Sequence, residues 1–568
     1  MADTVRAQLL RHAESDVPAI RYEDTSITWR DYLAGAAKRA GAIEEVLRGV
    51  WTHNTHGIGS GPRHVATLLE NTPEMLYALA AGALGGYVTV GLNATRRGES
   101  LARDIRRSDC QVILTDSELK HLLDGLDLGQ TTVIDTDSTE WAALVEAAQA
   151  PADPPEVTAQ DPFMLIFTSG TSGDPKAVQV GNFTVTMSGE NLADRFDLTP
   201  DDVTYLSMPL FHSNAIMGGF SPAIAAGATM ALARRFSATR FGEDLRRYGV
   251  TYMNYVGKPL AYILDTPPRP DDADTTLRVA FGNEAAPKDI PAFAERFGCT
   301  VVDAYGSTEL AIIVVRTEHS PLTSIGEPFP GVAVYDPVTG VECPRAIFDD
   351  DGAVTNLDEC VGELVNSEGA GFFAGYYNDE QATSDRMRDG MYWSGDLAYR
   401  DADGHIYLAG RTGDWLRVDG ENLATGIVEE IILRHPATSR VAVYGLPDPR
   451  GVGDQLAAAI VPRHDSTLDP EEFREFLAAQ PDLSPKAWPR WVRIARDLPT
   501  TATNKVLKRE LIRQGVGHVG GSDADGPDAA GPDAAGRDTA GPDTWWEREE
   551  RGTAYSHLAG PVNAPSAS

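Results

Sequence analysis

The sequence predicts an α/β protein with a large N-terminal domain built on mixed or parallel sheets and a small, mobile α+β C-terminal domain. Three observations lead there. The chain has 568 residues, 42% hydrophobic and 23% charged, several times the roughly 150 residues of one domain and globular in composition rather than collagenous, disordered or membrane-embedded. Short apolar runs alternate with amphipathic stretches over most of its length. The pattern then stops after Gly515, where a repetitive tail begins.

Between residues 27 and 115 the apolar segments 65–69, 75–84 and 112–115 are separated by polar turns, as expected of strands and helices taking turns. The uncharged stretch 215–233 approaches membrane length, but Gly218, Gly219, Ser221, Pro222 and Gly227 interrupt it, so it reads as buried helix, turn and strand. The alternation returns from 237 to 303, where Phe241, Leu245 and Tyr248 at helical spacing precede an apolar run at 251–256, and 287–297 precedes 300–302. Asp469, Pro470, Glu471 and Glu472 form a helix start ahead of the stripe Phe473, Phe476 and Leu477. Residues 526–543 repeat a five-residue unit (GPDAA, GPDAA, GRDTA, GPDT) with neither helical nor strand period, which predicts a disordered tail over 516–568. Its Trp545 and Trp546 are expected to lie weakly ordered against the body, and truncation after Gly515 is expected to leave folding and turnover largely intact.

A formal charge of −34 disfavours nucleic acid and anionic lipid as partners, so any anionic ligand must be held by local donors. Cys110, Cys299, Cys343 and Cys360 have no paired spacing, which fits a reducing cytoplasm better than a disulfide framework or a zinc site. Residues 1–19 mix acids and bases and lack the apolar core of an export signal. No integral membrane segment is expected. Of 49 basic residues only eight are lysines, which draws attention to Lys176 and Lys505. His53, His56 and His64 near a glycine-rich stretch make a weak metal pattern, and Pro62 breaks the dinucleotide fingerprint there.

The strongest chemical signal is FMLIFTSGTSGDPKAV, residues 163–178. An apolar strand opens into a loop whose glycines, Gly170 and Gly173, let backbone N–H groups converge, whose hydroxyls come from Thr168, Ser169, Thr171 and Ser172, and whose cation is Lys176. That combination suits phosphate oxygens. The spacing differs from a Walker A loop.

This loop is followed in order by DAYGSTE (303–309), YWSGDL (392–397), GRTGD (410–414) and TNKVLK (503–508). With these five motifs the chain resembles the AMP-forming adenylating enzymes, which include acyl-CoA synthetases, over about residues 25–515. YVGKPLAYIL (255–264), FGNEAAP (281–287) and RVDGENLAT (417–425) resemble most the very-long-chain acyl-CoA synthetase and fatty acid transport protein branch. The resemblance implies a large adenylate-forming domain at 1–410, a hinge at 411–414 and a small domain at 415–515. It also implies ATP and Mg²⁺, with CoA as co-substrate.

Carried over residue by residue, the resemblance places Glu309 and Thr308 at Mg²⁺. An adenine pocket is made by Gly282, Asn283, Glu284 and Ala285 with Asp303, Ala304 and Tyr305, the last stacking on the base. Gly306 and Ser307 complete that nucleotide-binding turn. Asp396 takes the ribose hydroxyls, since an ionised carboxylate is acceptor-only, and Arg411 reaches ribose or phosphate. Lys505 is the catalytic lysine, entering when the small domain closes for adenylation, with Lys508 a solvated neighbour. His212 resembles the gate beside the acyl pocket, a satisfied core histidine being the other reading. Two positions depart from the family: Ile427 stands where a Glu is common, two residues before the matching Glu429, and Gly413 occupies the hinge. The leading reading is an ATP-dependent acid:CoA ligase acting on a small-molecule carboxylic acid. The alternative is an ATP-dependent diazotase, similar to those of actinobacterial antibiotic and other natural-product pathways, that adenylates nitrite for attack by an aryl amine.

Overall fold

The computed structural model describes residues 3–53, 63–168, 175–257, 259–349, 354–411, 415–418, 421–447, 454–464, 466–480, 483, 487–500, 506–516, 543–548 and 553–558. Two sheets carry the large domain. One has nine strands in the order Glu327–Pro328, Ile313–Val315, Thr300–Gly306, Val279–Asn283, Tyr252–Val256, Val203–Leu206, Thr229–Leu232, Pro18–Tyr22 and Thr25–Thr28. Its centre is parallel and its edges antiparallel. The other orders Thr132–Asp135, Val112–Thr115, His64–Leu68, Val88–Gly91, Pro162–Thr168 and Lys176–Gly181, and only its last pair is antiparallel.

Local sequence explains the helices between these strands. Phe241–Tyr248 buries Phe241, Leu245 and Tyr248 and stops at Gly249, whose φ of 65° is the left-handed value a helix end favours. Asp289–Phe297 ends in the same way at Gly298. The uncharged stretch folds as the helix Ser213–Ala215, a π-helical turn Ile216–Phe220, the helix Ser221–Ala226 and the strand Thr229–Leu232, with the turn and the strand fully buried. Among the described residues no helix is long and apolar enough to cross a membrane.

A third sheet, Val332–Tyr335, Gly362–Asn366, Met391–Arg400 and Met387–Arg388, with Ile406–Arg411 beside Met391–Arg400, leads toward the small domain. That domain holds the hairpin Trp415–Val418 and Glu421–Ala424, and a sheet ordered Thr438–Pro447, Asp454–Pro462, Trp491–Ile494, Thr544–Arg548 and Tyr555–His557. Its helix Pro470–Ala478 starts as the sequence predicts, with the Asp469 carboxylate accepting from the backbone N–H groups of Glu471 and Glu472.

The last two strands correct the expected tail. Trp545 and Trp546 are 5% and 1% exposed, and the strand that carries them pairs antiparallel with Trp491–Ile494. Adjacent strand residues face opposite sides, so the two indoles fill separate cores, Trp546 beside Phe473 at a centroid distance of 6.0 Å and Trp545 among Trp491, Leu498 and Leu511. The signal was hidden because a five-residue strand is too short to show a period of its own beside the repeats. Residues 517–542 lie outside the described residues.

The small domain rests against the large one through polar and apolar contacts. Lys288 Nζ donates to the carbonyls of Leu433 (2.8 Å) and Thr438 (2.6 Å), and Ser439 Oγ donates to Asp265 Oδ2 at 2.8 Å. Burial, with Arg463 nearby, brings the Lys288 ammonium down to about 8. Gly426 lets the helix Thr425–Leu433 approach strand Ile406–Arg411: a Cβ there would meet the Ala409 carbonyl at 2.9 Å. Ile427 packs on two apolar clusters, one around Tyr399 and Ala409 of the large domain and one within the small domain. An apolar residue is what that seam requires.

Candidate active site

The phosphate-loop segment begins and ends on an antiparallel pair in which Thr168 faces Lys176. Ser169, Gly170, Thr171, Ser172 and Gly173 lie outside the described residues. Lys176 itself is placed by its strand. Gln179 N donates to Gly375 O (3.2 Å) and Tyr377 N to Ala177 O (2.8 Å), so Tyr376 lies beside the lysine, with Nζ 5.2 Å from its ring centroid. That is cation–π range.

Tyr376 joins Lys176 to the predicted metal carboxylate. Its hydroxyl donates to Glu309 Oε1 at 2.8 Å, and Glu309 is 8% exposed. Burial first, then the Glu309 charge, pushes the Tyr376 phenol well above its ordinary range, so it remains a donor. Arg386 closes the group from behind: Nη1 donates to the carbonyls of Trp393 (3.2 Å) and Ser394 (2.7 Å), and its charge acts on both Glu309 and Tyr376. Gly395, with φ of 77°, allows this, since a Cβ would meet Arg386 Nη1 at 2.8 Å. Thr308 Oγ1 lies 2.9 Å from Ser213 Oγ. A buried carboxylate with a hydroxyl beside it is an all-oxygen donor set that suits Mg²⁺.

The nucleotide motifs converge on the same end of the central sheet. Tyr305, at the end of strand Thr300–Gly306, donates its hydroxyl to Asp396 Oδ2 at 2.5 Å, so the residues assigned to base and ribose are in contact. Asp303 Oδ1 accepts from Tyr255 OH (2.8 Å) and Ala285 N (3.2 Å). Burial pushes its carboxyl up to about 7. The approach depends on Gly282, where a Cβ would collide with the Tyr255 carbonyl and ring. Glu284 takes φ of 66°, a left-handed conformation uncommon outside glycine and enriched at functional sites. Asn283 Oδ1 accepts from Asn214 Nδ2 at 3.0 Å, and Asn254 Nδ2 donates to Asn214 Oδ1 at 2.6 Å. This asparagine chain ties the adenine motif to the start of the π-helical turn.

His212 precedes that turn, half-buried, with its ring centroid 4.5 Å from that of Phe211. Ala304, Gly306 and Ser307 lie along the same strand end, half-exposed. Arg411 pairs through its backbone with Asp396, and nothing is described of its side chain. Lys505 and Gly413 lie outside the described residues. Lys508 is not a solvated neighbour: its Nζ is 2.9 Å from Glu429 Oε1 and donates to Thr425 Oγ1 at 3.0 Å. His64 is a satisfied core histidine, its Nδ1 2.6 Å from Ser108 O, and the side chains of His53 and His56 are outside the described residues. Sequence reasoning assigned no role to Tyr376, Arg386, Tyr255 or Asn214. Tyr255 opens the motif YVGKPLAYIL, and Tyr376 is the first tyrosine of GYYND, between two motifs already singled out.

The AMP-binding enzyme family matches residues 7–377 and its C-terminal domain matches residues 427–505. The chain belongs to the AMP-binding enzyme family. It is 47% identical over 518 residues to the medium/long-chain-fatty-acid–CoA ligase FadD17 of Mycobacterium marinum, covering 90% of this chain and 96% of that protein. It is 44% identical to the steroid-22-oyl-CoA synthetase of Rhodococcus jostii, over 90% and 91% of the two chains. Among solved structures, ATP-bound MatB from Rhodopseudomonas palustris superposes with a TM-score of 0.77 at 22% identity, over 90% of this chain and 99% of that one. The o-succinylbenzoate CoA synthetase of Bacillus subtilis with its acyl-adenylate does so with a TM-score of 0.72 at 25% identity, over 89% and 97%. The protein is an AMP-forming acid:CoA ligase that uses ATP with Mg²⁺ and takes CoA as co-substrate. The relatives lend no support to a diazotase.

Proposed function

We propose that the acid is an apolar one, a medium or long fatty acid or the side-chain carboxylate of a steroid. The observation that carries this reading is the π-helical turn Ile216–Phe220. It starts from Ser213 and Asn214, which touch Thr308 and Asn283, and it is uncharged and wholly buried. Widened helical turns are frequent at functional sites, and this one offers an acyl chain apolar side chains and two glycines. The names of the two relatives above support the same class, as does the motif likeness to the very-long-chain and fatty acid transport branch.

In this reading Lys176 neutralises phosphate charge and Tyr376 holds the Glu309 carboxylate at a fixed orientation. Glu309 and Thr308 would hold Mg²⁺, which would supply positive charge to offset that of the phosphates. Asp396 takes the ribose hydroxyls, and Tyr305 with residues 282–285 and 303–304 encloses the base, while Gly306, Ser307 and the 168–173 loop supply hydrogen-bond donors. Lys505 brings a positive charge to the acid oxygen and α-phosphate as the bond forms, and Arg411 steadies the nucleotide. His212 closes the acyl pocket. Positioning and electrostatics supply the catalysis, since the acid is itself the nucleophile. CoA thiolate then displaces AMP. We assign residues 1–410 to the large domain, 411–414 to the hinge and 415–515, with the added strands at 544–557, to the small one. A reducing cytoplasm suits its four free cysteines.

The test is pyrophosphate and AMP release across saturated fatty acids, a steroid-22-oic acid and substituted benzoates, with and without CoA, beside nitrite plus an aminobenzoate. CoA-dependent AMP release with an apolar aliphatic or steroid acid is expected. Turnover confined to benzoates or nitrite would refute the assignment.

A further inference from the structure

We propose that the C-terminal hairpin, residues 543–558, positions the small domain for acid activation by fixing the helix Lys508–Gln514. The inference rests on the reading of Lys505 as the lysine of that half-reaction. Residues 515–542, which include the five-residue repeats, separate the hairpin from the helix, yet one arginine joins them. Arg493 donates from Nε to Asp543 Oδ2 at 2.8 Å and from Nη1 to Gln514 Oε1 at 2.5 Å. The Arg493 and Asp543 side chains are 7% and 8% exposed, and losing one partner of such a pair leaves the other charge buried and uncompensated.

Apolar packing runs the same way. Leu511, on the helix, has no exposed surface and shares a cluster with Trp545, Trp491 and Leu498, with Val506 at its margin. Trp546 and Tyr555 face the other side, toward Phe473, and Tyr555 OH donates to Pro489 O at 2.6 Å. The strand Thr544–Arg548 is thus sandwiched between two helices of the small domain.

The helix is consequently held at both ends. Lys508 anchors its start to Glu429 and Thr425, and the hairpin secures Leu511 and Gln514. Leu507 N donates to Pro499 O at 2.8 Å and Thr500 bridges Val506, so the residues on either side of 501–505 are tied together at the start of this helix. A charge acting on a transition state tolerates little misplacement. Thioester formation does not call on Lys505 in this reading, so a loosened helix penalises only the first half-reaction. Asp543 and Trp545 are the positioning residues.

The experiment uses the full-length chain with Asp543→Asn, Trp545→Ala and Trp545→Phe, and Lys505→Ala as control. Two rates are measured: acid-dependent exchange of pyrophosphate into ATP, and CoA thioester formation from supplied acyl-AMP. Asp543→Asn and Trp545→Ala are expected to lower the exchange kcat on the order of tenfold or more, with KM for ATP and the thioester rate near wild type, and Trp545→Phe to restore exchange. Equal losses in both half-reactions, the mark of a merely structural hairpin, would overturn the proposal, as would no loss in either. A Lys505→Ala protein that keeps full exchange would overturn the underlying reading and the proposal with it, whatever the hairpin variants do.

Discussion

Tyr376→Phe isolates one hydrogen bond at the centre of the site. The ring stays, so the Lys176 ammonium keeps its aromatic face 5.2 Å away, and only the hydroxyl that donates to Glu309 Oε1 at 2.8 Å is lost. That hydroxyl occupies one acceptor direction of a carboxylate that has about four, so it orients Glu309 without blocking a cation. Hydrogen bonds to charged groups contribute about 1.5–3 kcal/mol. If the carboxylate then turns toward Arg386, whose charge already acts on it, most of that energy is lost from the metal-holding geometry, roughly a 10- to 150-fold fall in kcat/KM at limiting Mg²⁺. Acid-dependent pyrophosphate exchange as a function of Mg²⁺ concentration reads the effect directly. The variant is expected to need more Mg²⁺ for half-maximal rate and to approach wild type at saturation, with its melting temperature little changed. A wild-type Mg²⁺ curve, or a loss that Mg²⁺ does not relieve, would refute the argument that Tyr376 acts through Glu309.

Two further predictions concern stability. Because burial raises the Asp303 carboxyl to about 7, the folded protein holds that proton more tightly than the unfolded chain, whose aspartates titrate near 3.9. Its stabilising share is therefore full at low pH and is lost as pH rises through about 7. Asp303→Asn lacks this dependence, so the melting temperature of wild type relative to the variant is expected to climb on going from about pH 8.5 to about pH 5.5; a constant difference would show that Asp303 is not titrating there. Trp546→Ala removes an indole that is 1% exposed, at a cost of about 3–5 kcal/mol. By differential scanning calorimetry the small-domain transition is expected to fall by roughly 10 °C or more, whereas an unchanged transition would return the hairpin to the status of a loose tail.

The α/β alternation was legible because helix and strand periods are properties of neighbouring residues. Phe241, Leu245 and Tyr248 reveal a helix whatever they pack against, and Asp469 caps a helix using N–H groups two and three residues away. The chemical motifs were legible for a related reason: a turn that presents Glu309, Asp396 or Lys176 needs its glycines and hydroxyls beside it in the chain. What joins the motifs was not. Tyr376 and Glu309 are 67 residues apart, Tyr305 and Asp396 are 91 apart, and no period links positions so distant. The shift of Asp303 likewise comes from burial by segments remote in sequence, with Tyr255 lying 48 residues away. Lys508 is the converse case: a lysine at the end of TNKVLK reads as solvated until Glu429, on a helix far upstream, is found within 2.9 Å. The hairpin makes the same point most sharply, since repetitive sequence on one side conceals two tryptophans that pairing with strand Trp491–Ile494 delivers to cores built by Phe473, Leu498 and Leu511. Local periods and turn chemistry set the elements and the motifs; distant partners, chosen by packing and desolvation, decided which side chains act together.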